Sequence, residues 1–119
     1  MPEDHKRKLK AGERECVILG KKLVVDFNDR ALLRTTLELA QGIDELDEGD
    51  GVIQQGLAAL DCIDRCDAFF SDTFGKAARD KLFGKDKQPM KEPLEAIRQL
   101  ANEVGPAYDA MFGAAEKDA

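Results

Sequence analysis

Tryptophan is absent from the 119 residues, and tyrosine occurs once. The core must therefore be aliphatic, with a few phenylalanines as its large rings. The one histidine is His5, so an imidazole base is missing from the body of the chain. Cysteines number three, an odd count that implies no disulfide framework. No apolar run approaches the length of about 18 residues that a membrane span needs. Met1 to Lys10 is polar and lacks an apolar h-region, so no secretory signal is expected. These absences exclude a membrane protein, a secreted disulfide scaffold and a collagen-like or low-complexity chain. What is present is 43% hydrophobic and 35% charged, which suits one soluble domain with a modest core.

Charge is unevenly spread. Residues 1–22 carry seven basic and four acidic side chains, residues 23–74 three and twelve, and residues 75–119 eight of each. The excess acidity thus lies in the middle, where it repels phosphate backbones and argues against nucleic-acid binding. Lys6, Arg7, Lys8 and Lys10 form a basic start, read as a solvated, flexible tail over residues 1–14.

Cys62 and Cys66 are four apart, which places them on one face of a helix. Two thiolates at that spacing supply half a zinc site. No second cysteine pair completes it, so the pair reads as small apolar core residues and no metal is expected.

The pattern predicts a mostly α protein with an N-terminal β-hairpin, an α+β domain of about four helices over residues 15–112. A small-residue tail follows at 113–119. Glu15 to Leu19 and Lys22 to Phe27 are β-rich runs around Gly20-Lys21, the signature of a hairpin. Their apolar residues do not alternate strictly, so one hairpin face is expected to be partly covered. Asn28 or Asp29 can cap a helix over 30–47, whose apolar half holds Leu32, Leu33, Leu37, Leu39, Ala40, Ile43 and Leu46.

Asp44, Glu45, Asp47, Glu48 and Asp50 crowd the end of that helix, where acids oppose the macrodipole and favour fraying. The cluster fails as a calcium loop: Leu46 stands two residues after Asp44, and Gln55 occupies the twelfth position. The longest helix is expected over 52–74, with Ala59, Leu60, Cys62, Ile63, Cys66, Phe69, Phe70 and Phe74 on its apolar half. Asp67 lies at the edge of that stripe. It either reaches water or bonds a nearby backbone N–H or Arg79. Gly75 and Gly84 bracket a short helix, Lys76 to Phe83. Pro93 opens a last long helix with Met90, Leu94, Ile97, Leu100, Ala101 and Val104 on its apolar face, and Gly105-Pro106 is expected to end it. Tyr108, Met111 and Phe112 fall on one side of a further turn or two.

No phosphate-binding glycine loop or Gly-x-Ser-x-Gly elbow occurs. Asp61 and Asp64 are paired carboxylates, but they read as the solvated face of a helix. No catalytic residue and no cofactor is expected. These features describe a small acidic interaction domain without naming its partner.

One segment goes further. Cys66-Asp67-Ala68-Phe69-Phe70-Ser71-Asp72-Thr73-Phe74-Gly75, followed by Ala77 to Gly84, resembles a stretch of the small siphophage tail assembly chaperones. The pattern is an aromatic–acidic helix end, a short linker and a helix closing on an apolar-Phe-Gly triplet. A hairpin, two helices and a last helix surround it in the same order, so the likeness spans about residues 16–104. The chain departs in its short Gly75-Lys76-Ala77 linker and its charged start.

The resemblance implies a non-enzymatic role in the host cell cytoplasm: coating the tape-measure protein, helping recruit tail-tube protein, and leaving before the virion is finished. Self-association and a frameshifted longer form are also implied. A structural subunit of the tail or head–tail connector, or an acidic host-directed inhibitor, are the competing readings. A client of apolar helices needs an apolar receiving surface. The hairpin residues Val17, Leu23 and Val25 and the C-terminal Tyr108, Met111 and Phe112 are the expected partner-binding positions. The acidic patch of Asp44, Glu45, Asp47, Glu48 and Asp50 is expected to steer basic client segments.

Overall fold

A computed structural model describes residues 9–46, 51–85 and 88–108. The chain opens with a two-stranded antiparallel sheet, β1 (Glu13–Ile18) and β2 (Lys21–Asp26). Cys16 pairs with Leu23 and Ile18 with Lys21, which leaves Leu19-Gly20 as the two-residue turn. Both turn residues have positive φ, 52° and 77°, the hairpin turn whose twist matches the strands. The turn thus lies one residue earlier than Gly20-Lys21. Leu19 is an unusual occupant of the left-handed region. Its N–H donates to Gln99 Oε1 at 2.7 Å, so a distant helix helps hold the turn.

The base of the hairpin extends the folded part before residue 14. Phe27 N–H donates to Gly12 O at 2.9 Å, and Asn28 Nδ2 donates to Ala11 O at 3.2 Å. A Cβ on Gly12 would stand 2.3 Å from Asn28 Nδ2, and its φ is +91°. Glycine is required there on both counts. Residues 10–14 therefore belong to the domain rather than to a tail.

Four helices follow: α1 (Arg30–Asp44), α2 (Val52–Phe74), α3 (Lys76–Phe83) and α4 (Glu92–Tyr108). The mostly α fold with an N-terminal hairpin is the class the sequence predicts. Asp29 is the N-cap of α1, its carboxylate accepting from Leu32 N–H at 3.1 Å. The helix stops at Asp44, three residues short of expectation, where acidic side chains meet the negative end of the helix dipole and disfavour further turns. Gly75 and Gly84 end α2 and α3 with φ of 93° and 101°, a conformation that favours glycine.

The helix α4 does not end at Gly105-Pro106. It continues to Tyr108 with Pro106 inside it. Proline removes one N–H and crowds the carbonyl of exposed Asn102. Burial of Val104 and Ala107 on either side of it holds the last turn down.

α1 packs on α4 and α2, α2 on α3 and α4, and the hairpin lies against α4 through β1 and α3 through β2. Ile18 and Val25 from the hairpin, Phe70 from α2, and Ile97, Leu100 and Val104 from α4 are fully buried at the centre. Pro93, Ala96, Ile97, Leu100, Val104 and Ala107 make the inner face of α4; exposed Met90 lies outside it. The second half of α2 supplies the aromatic cluster. Phe70 meets Phe69 at 5.3 Å, Phe74 at 5.7 Å and Phe83 of α3 at 5.4 Å between ring centroids. No helix among the described residues is long and apolar enough to cross a membrane.

Candidate functional site

The inward face of the hairpin holds Cys16, Ile18, Leu23, Val25 and Phe27, all buried. Strand alternation sends Val17 outward, 61% exposed. Of the three hairpin positions expected to receive a partner, only Val17 offers surface. Leu23 and Val25 do not, because the α4 and α3 faces cover the side of the sheet they occupy. Tyr108 closes the backbone of α4, and Met111 and Phe112 lie outside the described residues, as do Asp47, Glu48 and Asp50 of the acidic patch. Asp44 and Glu45 are exposed at the end of α1, and Asp44 faces Arg98 of α4 at 3.7 Å.

Among the described residues, the most exposed apolar side chains that share one helix lie elsewhere. Val52, Ile53, Leu57 and Leu60 in the first half of α2 are 85, 79, 64 and 51% exposed. At 100° per residue they fall within an arc of about 140°, so they form one strip along the helix. Leu60 was expected in the core and is not there. It stands on the strip instead, because the core-facing stripe of the second half is rotated away from it. Gly56 lies within the same arc, and a Cβ placed on it would meet nothing within 4 Å. The strip therefore has an open notch at its middle. Four large apolar side chains in a row have the character of a recognition surface rather than of scattered surface leucines.

The sequence here is acidic, but the surface charge is mixed: Asp64 lines a pocket with Lys76 and Arg79. From Thr35 to Asp64 the sequence holds eight acids and no lysine or arginine. Exposed Asp64 continues the strip one turn beyond Leu60, and Asp61 flanks it. Arg65, the next base along the chain, is engaged by Asp61 at 3.0 Å. On the side of α2 turned away from the strip, a groove of about 280 Å³ runs against α1, with Leu39, Leu46 and Cys62 along it and Glu38, Glu45, Asp61 and Arg65 contributing charge.

A larger cleft of about 420 Å³ lies where β2, the start of α1, the end of α2 and α3 meet. Its lining carries Lys22 and Lys81 together with Asp26 and Asp29, over Leu23, Phe74 and Leu82. It holds no thiol or imidazole, and its charges are mixed.

The thiols have a packing role. Cys16, Cys62 and Cys66 are buried and free. Burial pushes the Cys66 thiol up to about 12, helped by the neighbouring Cys62. Burial and the nearby Glu103 carboxylate push Cys16 to about 11, and burial raises Cys62 too. All three stay protonated at neutral pH, the unreactive form. Among the described residues no group of three or more His, Cys, Asp or Glu is placed to hold a metal ion.

Asp67 resolves among its alternatives: it is an ion-pair partner. Arg79 Nε and Nη2 donate to its two oxygens at 2.7 and 3.1 Å, a bidentate fork. Arg79 Nη1 also donates to Asp80 Oδ1 and Gly84 O, both at 3.0 Å. The bonds to Asp67 raise the Arg79 guanidinium further above its ordinary value, and the bond from Arg79 holds Asp80 below the usual carboxylate range. This clamp ties α3 and its end to α2, inside the segment that carries the resemblance.

Comparison of the chain with protein-family models, with curated proteins and with solved structures gave no match.

Proposed function

We propose that this protein is a non-enzymatic assembly chaperone of a siphophage tail, which binds apolar helical segments of the tape-measure protein and keeps them soluble. The observation that carries the reading is the exposed apolar strip Val52, Ile53, Leu57 and Leu60. A strip of this kind on a charged domain supports a binding role, since an apolar helix face finds its match in another apolar surface. The three thiols are buried and protonated, which supports a role without nucleophilic chemistry. The aromatic segment Phe69 to Gly75 and the helix closing on Leu82-Phe83-Gly84 supply the resemblance to tail chaperones, and recruitment of tail-tube protein and action in the host cytoplasm go with it.

Co-expression with a tape-measure protein encoded beside this gene tests the reading. The expected result is a soluble complex with several copies of this chain, and aggregation of the tape-measure protein alone. Equal solubility without this chain overturns it. Full stoichiometry of this chain in mature virions replaces the chaperone with a structural subunit.

A further inference from the structure

We infer that the outer edge of β2 pairs antiparallel with β2 of a second copy of this chain, centred on Val24, so that two hairpins join into one sheet. The inference goes beyond the chaperone reading and stands on the strand alone. Three observations select this occupant and this register.

The first is the backbone. Phe27 N–H donates to Gly12 O, and Ile18 faces Lys21 across the turn, so every second residue of β2 spends its N–H and C=O on β1. Lys22, Val24 and Asp26 fall between them and turn theirs to the outer edge. Neither Lys22 nor Val24 bonds a backbone group beyond the hairpin among the described residues. The Asp26 carbonyl accepts from Asp29 N–H at 3.2 Å and keeps a second lone pair. The cleft beside β2 takes in Leu23 from the inner face and Lys22 and Val24 from the outer face, so open space reaches the edge. Such an edge is a template for another strand.

The second is charge. The edge reads Lys22-Leu23-Val24-Val25-Asp26, basic at one end and acidic at the other. Antiparallel pairing about Val24 sets Lys22 of each copy against Asp26 of the other, and Val24 against itself. Pairing about Lys22 or Asp26 sets like charges together, as does parallel pairing in register. Pairing about Leu23 or Val25 sets both charges opposite uncharged residues. The β1 edge fails the same test, because pairing about Glu15 opposes it to its own copy. Lys81 and Asp29 also line the cleft, but they stand on α3 and at the cap of α1 rather than on the pairing edge.

The third is a mismatch inside the hairpin. Glu13 stands directly opposite Asp26, a like-charge pair that weakens a ladder, while exposed Lys22 stands opposite Val17. A second copy brings its Lys22 beside Asp26 and offsets that mismatch. It also doubles a sheet whose two strands are marginal by themselves.

Sedimentation velocity of the full-length protein, from micromolar to millimolar concentration, tests the pairing. The wild type is expected to pass from monomer to dimer as concentration rises. Lys22→Glu and Asp26→Lys, each alone, should weaken the dimer at least about tenfold, because each sets like charges together at both ends of the joint. Mixing the two variants in equal amounts should restore a dimer, since opposite charges then meet at both ends. Val24→Cys should crosslink to itself under mild oxidation, because directly opposed residues lie about 5.5 Å apart between Cα atoms, within disulfide reach. Lys21→Cys should not, since its two copies are about 20 Å apart along the strands. If Asp26→Lys fails to fold for want of its bond from Asn28 N–H, the crosslink still decides.

A wild type that stays monomeric at millimolar concentration overturns the inference. A dimer untouched by either charge variant, or one that Ile53→Ser/Leu57→Ser abolishes, assigns association to another surface and overturns it too. Equal crosslinking of the two cysteine variants overturns the register. Tape-measure protein kept soluble by Lys22→Glu leaves the chaperone reading in place whatever the sedimentation shows, so the two fail separately.

Discussion

The two halves of α2 are built from similar numbers of apolar side chains and have opposite fates. Val52, Ile53, Leu57 and Leu60 in the first half are exposed; Cys62, Ile63, Cys66, Phe69 and Phe70 in the second half are buried. On the helical wheel the two sets centre about 120° apart. The helix therefore carries two stripes, and only one of them points at the rest of the molecule. α2 packs against α3, α1 and α4, and in its second half Phe70 meets Phe69 and Phe83 edge-on and stacks on Phe74. The first half starts at Gly51 without a side-chain cap and includes Gly56, a poor helix residue. A half-helix that is weak on its own yet rich in valine, isoleucine and leucine gains stability from whatever covers it. The difference teaches that periodicity locates an apolar stripe but not what lies opposite it.

Truncation tests the contrast most directly. Phe70→Ala should cost about 3–5 kcal/mol by chemical denaturation, since a fully buried ring in the aromatic cluster leaves a cavity. Leu57→Ala and Leu60→Ala should each change stability by less than about 0.5 kcal/mol. A large loss at Leu57 would mean that the strip is covered within the free protein, and the contrast between the halves would disappear.

The two arginines that pair with α2 carry the comparison to charge. Arg79 is 11% exposed and forks onto Asp67, while Arg65 is 71% exposed and pairs with Asp61. Arg79→Ala should cost about 2 kcal/mol, because several charge-assisted bonds are lost and Asp67 is left unmatched. Arg65→Ala should cost no more than about 0.5 kcal/mol, the usual worth of an exposed pair on a helix. Thermal or denaturant unfolding of both variants sets the ratio. Equal losses would show that the clamp does not anchor α3.

The thiols sharpen the contrast through pH. Cys66 ionises in the unfolded chain near its ordinary value of 9.0 and in the folded protein only at about 12. The folded state thus holds more protons between those values, so stability falls as pH rises through that window and is unaffected by this group below it. Each pH unit above the unfolded value costs about 1.4 kcal/mol for a thiol that ionises only on unfolding. The variant Cys62→Ala/Cys66→Ala should show a shallower alkaline decline than the wild type. Identical slopes would place these side chains in water and contradict the burial of the second half.

Much of the fold was legible because glycine marks its joints. Gly51, Gly75 and Gly84 bracket α2 and α3, and both helices span the residues the pattern predicts. The hairpin was legible from its β-branched runs, though its turn shifted by one residue. An N–H bond from Leu19 to Gln99, 80 positions away, lets leucine take a conformation that local chemistry assigns to glycine or asparagine. The same limit applies at Pro106, where burial of its neighbours outweighs the proline rule. The candidate surface was less legible. Leu60 is adjacent on the wheel to Ile63, so one broad stripe and two rotated ones look alike in sequence. Leu23 and Val25 look exposed when the hairpin is read alone, because nothing local announces that α3 and α4 cover one side of it.

The opposite mismatch is a polar group inside. Thr36 lies on α1 with no exposure, and its hydroxyl has no hydrogen-bond partner among the described residues. Both it and the α2 strip break the rule that polarity follows exposure, and such breaks often mark function. The two differ in access. A partner can reach the strip, whereas Thr36 has no exposed surface for one to touch. The hydroxyl is thus a cost carried by the fold rather than a site. Valine has nearly the same shape and a similar helix propensity, so Thr36→Val removes the unpaired oxygen and leaves the packing in place. Stability should rise by about 1 kcal/mol, read from the denaturation midpoint at constant slope. A fall would show that the hydroxyl bonds the preceding turn of α1, as threonines in helices do. Among the described residues, the apolar strip of α2 would then stand as the larger departure from the rule that polarity follows exposure.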